Sequence, residues 1–428
     1  MKIFELNKLN KNEIQELTKR PAIDFSKAFG IVKPMLEEIK RNGLQAALTY
    51  AKQLDNFSGD NILVSEDEFS SAEKNLSSEI KAAILTAANN IRVFHEKQIP
   101  RAYVVETMPG VKCSREFRAI ENVGLYVPGG SAILPSTMLM LGIPASIAGC
   151  KRIVACSPAK NEKVNDALLF AAKVCGVKEF YKLGGAQAIA LLAYGCSETK
   201  KVDKIFGPGN QFVTAAKLLV SIDVEGCAID MPAGPSEVLV IADEMANAAF
   251  VSSDLLSQAE HGVDSQVVLL AFSKTFAESV LTEVEKQLAE LPRKEIAAQA
   301  LSNSFVLLCE NVDEAISFSN NYAPEHLILH LENAENYRSD IINAGSVFLG
   351  EYSPESVGDY ASGTNHSLPT YGYAKSFGGV SIESFMKSIT FQQLTKKGLQ
   401  CIAPTVTRLA ETEMLSAHKN AVTIRLKQ

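Results

Sequence analysis

Along the first hundred residues, apolar positions recur at helical spacing. From Phe25 to Leu54 the period is that of an amphipathic helix, with Pro34 as the point where a kink is expected. A second long helical region runs from about Glu66 to Gln98. Ser65 and Glu68 have the spacing of a capping box at its start, and Ile80, Ile84, Ala87, Ile91 and Phe94 recur at intervals of three or four. His95 follows Phe94 and reads as a core histidine. Ahead of both regions, residues 1–22 mix Asn, Lys, Glu and Leu in the manner of an arm with a short helix packed on something else.

Past Pro100 the pattern changes, and short apolar runs alternate with amphipathic stretches. The expected strands are Val123–Val127, Arg152–Cys156, Glu179–Leu183, Lys204–Phe206 and Val238–Ala242. Between them, helices are expected at Thr137–Gly149, Glu162–Cys175, Gln187–Tyr194 and Gln211–Val220. The alternation resumes with a helix to about Glu260, a strand at Gln266–Phe272, a helix at Phe276–Leu291 and a strand at Phe305–Cys309. Helix and strand follow again from Val312 to Leu349. Such alternation predicts α/β architecture, parallel sheets under covering helices, in two sections of similar layout without a sequence repeat. The last 45 or so residues read as a docking tail, with His418 late in a helix.

Composition narrows the class. The 428 residues are 46% hydrophobic and 21% charged, enough for two or three soluble domains. A net charge of −7, with no Lys/Arg cluster, argues against a nucleic-acid partner. The uncharged run Gly124–Cys150 is interrupted by Pro128, Pro135 and Pro144, which argues against a membrane-spanning helix. The N-terminus lacks the apolar core of a signal peptide. Eight cysteines without a CxxC pair suit reduced thiols in a cytoplasmic protein.

Histidine is scarce, with six in the chain, and four stand in polar settings. One is His366, in the stretch Val357–Thr370 (VGDYASGTNHSLPT), which also holds Asp359 and fits neither a helical nor a strand period. Gln258 and His261 are three apart in the helical window DLLSQAEHG, which puts both on one face where they can point at one metal ion. A capped helix end with Gly262 as its stop explains the same residues. Asp359 would add a carboxylate and His418 a second imidazole, a set that suits Zn²⁺ and accommodates Mn²⁺. These positions are far apart in the chain, so their meeting is left to the fold. Glu325 and His326 are adjacent, so their side chains diverge and suit two separate steps of one reaction better than one relay. His330, in the apolar run LILHL, reads as core. Glycine sites at Val127–Ser131, Leu183–Gln187, Phe206–Asn210 and Ala233–Glu237 read as ligand loops, three of them after expected strands. None is a GxGxxG dinucleotide fingerprint.

Taken together, VGLYVPGGSA with PASIAGC, FGPGNQFVTAAK, IDMPAGPSEVLVIAD running on to DLLSQAEHG, and GDYASGTNHSLPT resemble the histidinol dehydrogenase family. APEHL and ETEMLSAHKN support the resemblance, which covers the chain from about residue 20. Ser252 and Ser367 depart from it, standing where apolar residues are expected. The resemblance implies oxidation of L-histidinol through L-histidinal to L-histidine, with two NAD⁺ consumed. It implies zinc on Gln258, His261, Asp359 and His418, and substrate contacts from Ser236, His326, His366 and Glu413 along with the metal. NAD⁺ would meet Tyr126, Gln187 and Asn210, while Glu325 and His326 would be catalytic. It further implies two incomplete Rossmann-like domains. One, spanning 23–125 and 238–380, would carry most metal and catalytic residues, and 126–237 would contact NAD. An N-terminal arm (1–22) and a C-terminal helical tail (381–428) would complete the chain, the tail crossing to the partner's site in an intertwined homodimer. Read without the resemblance, a zinc hydrolase with Glu325 as base and a non-catalytic ligand-binding protein remain open.

Overall fold

The computed structural model describes residues 1–20, 25–129, 133–232 and 234–427. Two parallel sheets account for the alternation past Pro100. The first holds, in chain order, Asn122–Tyr126, Arg152–Cys156, Glu179–Tyr181, Lys204–Phe206 and Ala228–Ile229. Side by side they run third, second, first, fourth, fifth. The second sheet repeats that order with Glu237–Ala242, Gln266–Ala271, Phe305–Leu308, His326–His330 and Ser346–Leu349. Each unit has the Rossmann-type order up to its fifth strand and lacks a sixth from its own run, so both expected incomplete Rossmann-like sheets are present. In the second, the arm strand Lys2–Glu5 takes the edge position, parallel to Phe305–Leu308.

The strands were legible because both of their faces are covered. All six residues of Glu237–Ala242 are buried. Val238, Val240 and Ala242 join one apolar cluster, and Leu239 and Ile241 join the one on the opposite face. That is why the run is continuously apolar and not alternating. Arg152–Cys156 and Lys204–Phe206 match the expected limits, and the other strand ends shift by a residue or two.

Several expectations need correction. Phe25–Leu54 does break, but at Gly43 (φ 56°, ψ −136°), while Pro34 stays inside the helix. Glu66–Gln98 is two helices, Glu66–Asn75 and Ser78–Glu96; Ser65 forms the capping box with Glu68, and Ser77 caps the second. The arm has its short helix, Lys11–Leu17, but its edge strand was not anticipated. Residues from Ala28 to Ile91 share one apolar cluster with the five-stranded sheet, so they belong with 123–231 and not, as the grouping of 23–125 with 238–380 had it, with the six-stranded sheet. The reason is that the long helices roof the helices of the first sheet, whose outer faces would otherwise be bare.

The tail is more than helices. Met386–Leu394 pairs antiparallel with Val111–Ala119, which pairs with Tyr103–Met108. This ribbon sheet escaped the sequence reading because every residue of Tyr103–Met108 is exposed, leaving no burial pattern to read. Helices Lys396–Thr412 and Ser416–Leu426 follow, and none of the latter's residues is buried. His418 therefore stands early in the last helix, not late.

Candidate active site

The two sheets meet at a cleft of about 640 Å³. From the first sheet it takes Pro128 and Pro208–Asn210, which follow the first and fourth strands. The second sheet contributes Ser236, Ser265 and the pair Glu325–His326, at or just before strand starts. Gln258 and His261, from the end of helix Ala248–Ala259, line it too, as do Asp359 and His366. His261 lies just past the helix, after the C-cap Glu260, yet reaches the same cleft as Gln258.

Neighbouring strand starts build the centre. The register His326↔Val238 brings Glu325 beside Glu237, and the Glu237 N–H donates to Glu325 Oε2 at 2.9 Å. The Glu237 carbonyl lies 3.1 Å from His326 Nδ1, and the Gln258 amide nitrogen is 3.0 Å from the same ring atom. Only one of these two can hold Nδ1 at a time. When Nδ1–H donates to the Glu237 carbonyl, the Nε2 lone pair faces the cleft, the tautomer a base requires. Nε2 has no hydrogen-bond partner, although Asp359 Oδ1 is 3.4 Å away. Gln258 donates from its nitrogen, and its Oε1 is buried without a partner.

Burial and charge set the protonation states. Burial pushes the Glu325 carboxyl above its ordinary range, and the neighbouring His326 only partly offsets this. Burial also works against a charged His326, but the carboxylates of Glu325, Asp359 and Glu355 outweigh it and raise its pKa. Asp359 is opposed by burial too, yet its pairing with His326 and the charges of His366 and His261 hold it below the usual carboxylate range. Burial lowers His261 and His366, so both imidazoles are neutral near pH 7.

The stretch around Asp359 is part helix, part irregular. Asp359 sits in the short helix Glu355–Tyr360, although the stretch from Val357 fits no helical period in the sequence. His366 Nδ1 donates to the Asp359 carbonyl at 2.8 Å, and its Nε2 meets Thr137 Oγ1 at 3.0 Å. Gly363 (φ 118°) makes the bend possible, since a Cβ there would stand 2.8 Å from the Asn90 carbonyl. On the other wall, Gly207 (φ 123°) lets the FGPGN loop press against Tyr126; a Cβ would fall 2.0 Å from the Tyr126 carbonyl oxygen. The buried Lys217–Asp230 pair braces that loop, with Lys217 Nζ donating to the Gly207 carbonyl at 2.7 Å. Asn210 caps helix Gln211–Ile222 through its side-chain oxygen.

Four expected site residues stand elsewhere. Tyr126 and Gln187 form a polar cluster away from the cleft lining. The Tyr126 hydroxyl accepts from the Gly185 N–H at 3.2 Å, and Gln187 Nε2 donates to Asp55 at 2.7 Å, leaving its Oε1 buried and unpartnered. Glu413 and His418 are exposed on the tail, outside the cleft of their own chain. Among the described residues, no three His, Cys, Asp or Glu side chains form a metal-binding group. The cleft gathers Gln258, His261 and Asp359, and the fourth expected ligand, His418, is not with them because it stands exposed on the last helix, which packs mainly on the preceding tail helix.

Sequence reasoning missed the layer behind the pair. Ser257 donates to Glu355 Oε1 at 2.8 Å, while the other oxygen of this buried carboxyl has no partner. His330 is core, as expected, but polar core: its Nε2 is 2.7 Å from Asp254. The spacings 326/330 and 254/258 put these pairs on matched faces, a signal that only pairing the elements reveals. The Ser252 hydroxyl has the Ala248 and Val280 carbonyls, at 2.7 and 2.9 Å, as alternative acceptors for its one proton, whereas the Ser367 hydroxyl is buried without a partner.

The family model described as histidinol dehydrogenase matches residues 18–426. The chain belongs to the histidinol dehydrogenase family. It is 51% identical over 428 residues to a histidinol dehydrogenase of Campylobacter jejuni (strain RM1221), covering 100% of this chain and 99% of that one. It is 50% identical over 429 residues to the chloroplastic histidinol dehydrogenase of Arabidopsis thaliana, covering 100% of this chain and 92% of that protein. The crystal structure of histidinol dehydrogenase from Elizabethkingia anophelis superposes with a TM-score of 0.95 at 51% identity, over 100% of this chain and 98% of that one. Membership in the histidinol dehydrogenase family makes the chain an oxidoreductase of histidine biosynthesis and sets the hydrolase and pure-binding alternatives aside. Among the described residues, no helix is long and apolar enough to cross a membrane.

Proposed function

We propose that the chain oxidises L-histidinol through L-histidinal to L-histidine, with two NAD⁺ reduced per turnover. The observation that carries this reading is the cleft itself. A buried acid–imidazole pair faces, across one cavity, a glycine loop beyond the carboxyl end of a parallel sheet where the strand order reverses. That crevice is where open α/β sheets take nucleotides.

In the first oxidation His326, in its neutral form with the Nε2 lone pair free, takes the hydroxyl proton as hydride leaves the carbon, so the step should quicken as pH rises toward the raised pKa of this imidazole. In the second, Glu325 takes a proton from water as the oxygen attacks the aldehyde, and His326 accepts the proton of the resulting hydrate as hydride leaves again. The balance is one alcohol, one water and two NAD⁺ giving one carboxylate, two NADH and three protons. NAD⁺ supplies the hydride acceptor in both halves; Asn210 on the cleft wall would hold it, and Tyr126 and Gln187, outside the cleft lining, would meet only a part of the dinucleotide that extends beyond the cleft. Closing the aldehyde in the cleft prevents loss of a reactive intermediate.

The donor set fits zinc. Gln258 Oε1 is buried and unpartnered, His261 is kept neutral by burial, and Asp359 is kept anionic. Gln258, His261, Asp359 and His418 would hold the ion, and Zn²⁺ there would anchor the imidazole and amine of histidinol. Ser236, His366 and Glu413 would complete the substrate site.

His418 and Glu413 would come from a second copy in an intertwined homodimer. What supports this is the apolar surface left bare on the tail and ribbon, where Val104 is 68% exposed, Leu409 57% and Met414 88%. The domain roles follow, with 126–237 contacting NAD and 238–380 carrying most metal and catalytic residues. All eight cysteines are free, which suits a reducing compartment such as the cytoplasm.

The test is to incubate the protein with L-histidinol and NAD⁺ and follow NADH absorbance against histidine formed. Two NADH per histidine, without free histidinal, is the expected result. One NADH with aldehyde accumulating would overturn the four-electron reading.

A further inference from the structure

We propose that Arg20, at the end of the N-terminal arm, is a positioning residue for the Glu325–His326 pair. The inference rests on the reading that this pair moves the protons. Arg20 lies outside the cleft lining, yet its guanidinium is almost wholly buried and has an acceptor for each of its five N–H groups. Nε and Nη2 both donate to Glu237 Oε2. Nη1 donates to the Thr18 carbonyl at 3.0 Å and the Tyr322 carbonyl at 2.7 Å, and Nη2 also reaches the Ala323 carbonyl at 3.2 Å. The plane lies 3.5 Å above the Tyr322 ring.

These contacts converge on the strand starts that carry the chemistry. Glu237 gives its side chain to Arg20 and its backbone to the site. Its N–H holds Glu325, and its carbonyl faces His326 Nδ1 and the Gln258 amide. Its other oxygen accepts from the Tyr371 N–H, which ties in the chain that follows His366. Tyr322 and Ala323 lead directly into Pro324 and the pair, and Ala323 is held in the left-handed region at φ 54°. Arg20 thus fastens Glu237 to the segment before Glu325, setting the spacing of the two starts. The hydrogen bond from Glu237 that orients Glu325 and the carbonyl that selects the His326 tautomer both depend on that spacing.

The test uses the full-length, metal-loaded protein with Arg20→Ala and Arg20→Lys variants, each first shown to be folded and to bind NAD⁺. With Arg20→Ala, kcat should fall about 10- to 100-fold for both histidinol and histidinal, as misplacement of reacting groups does. The KM for NAD⁺ should stay within about twofold, because the dinucleotide wall belongs to the other sheet. Added methylguanidine should restore part of the lost kcat. Arg20→Lys should fall between, since one ammonium cannot serve five directions. Wild-type kcat in either folded variant, or a loss of activity matching the loss of folded protein with no guanidine rescue, would overturn the proposal. If Arg20→Ala does not fold, Arg20→Lys decides alone: a wild-type kcat overturns the proposal, and a lowered kcat with unchanged KM for NAD⁺ supports it. Wild-type protein that fails to oxidise histidinol would instead defeat the reading of the pair.

Discussion

The two sheets share one strand order and put opposite ends to work. In the five-stranded sheet the cleft residues follow the strands: Pro128 after the first, Pro208–Asn210 after the fourth. In the six-stranded sheet they precede or begin them: Ser236, Ser265 and Glu325–His326. The carboxyl ends of that second sheet are closed at the place where the first is open. Asp243 N–H donates to the His330 carbonyl, and the Asp243 carboxylate accepts from the N–H groups of Met245 and Glu332. One aspartate thus stitches the crevice between the first and fourth strands, where the other sheet has glycine and proline loops. Strand order sets where a crevice can be; the residues at the turns decide whether it opens. The proposed function assigns the hydride acceptor to one wall and proton transfer to the other.

Removing the proposed metal should break the comparison hardest. A chelator should abolish turnover, and Zn²⁺ or Mn²⁺ should restore it. His261→Ala should lose metal and histidinol binding in calorimetry while NAD⁺ binding persists, because only one wall is damaged. Full activity from metal-free protein would refute this.

Next come the two members of the pair. His326→Ala should slow both oxidations by about 10²- to 10⁴-fold, the usual range for a lost general base. Glu325→Gln should mainly slow the aldehyde step, which alone needs activated water. Steady-state rates with histidinol and with histidinal separate the two, and a Glu325→Gln defect confined to the alcohol step would reverse the assignment.

The tail supplies a smaller effect with a sharper meaning. His261→Ala and His418→Ala, each inactive, are unfolded together and refolded with metal. If tails cross, half of the dimers are mixed and each has one intact site, so activity should recover to about a quarter of wild type. No recovery, with mixed dimers shown to form, would place each tail on its own subunit.

The smallest effect concerns the nucleotide wall. Asn210→Ala should raise the KM for NAD⁺ and cost about 1 kcal/mol of stability through the lost helix cap. Asn210→Asp should keep the cap, so thermal melting separates it from the nucleotide contact. Equal KM for NAD⁺ in both variants and wild type would remove Asn210 from that wall.

What could be read from the chain follows from range and burial. Arg152–Cys156 was legible to the residue because neighbours on both faces demand apolar side chains, whereas the exposed ribbon of Tyr103–Met108 and Met386–Leu394 answers to nothing local. Gln258 and His261 were legible by spacing, and both reach the cleft. Glu355 was hidden because the helix that carries Asp359 is too short, at six residues, to show a helical period. Arg20 had no local signal at all, since its partner Glu237 is 217 residues away. The roof of helices was assigned to the wrong sheet for a similar reason: amphipathic spacing says that a face is buried, not against what.

The division between the two sheets is tested most directly by a crystal structure with NAD⁺ and histidinol bound. The account predicts the nicotinamide beyond the carboxyl ends of Asn122–Tyr126 and Lys204–Phe206, with the hydroxymethyl carbon of histidinol between it and His326 Nε2. A dinucleotide seated beyond Ala242 and His330, at the carboxyl ends of the six-stranded sheet, would contradict it.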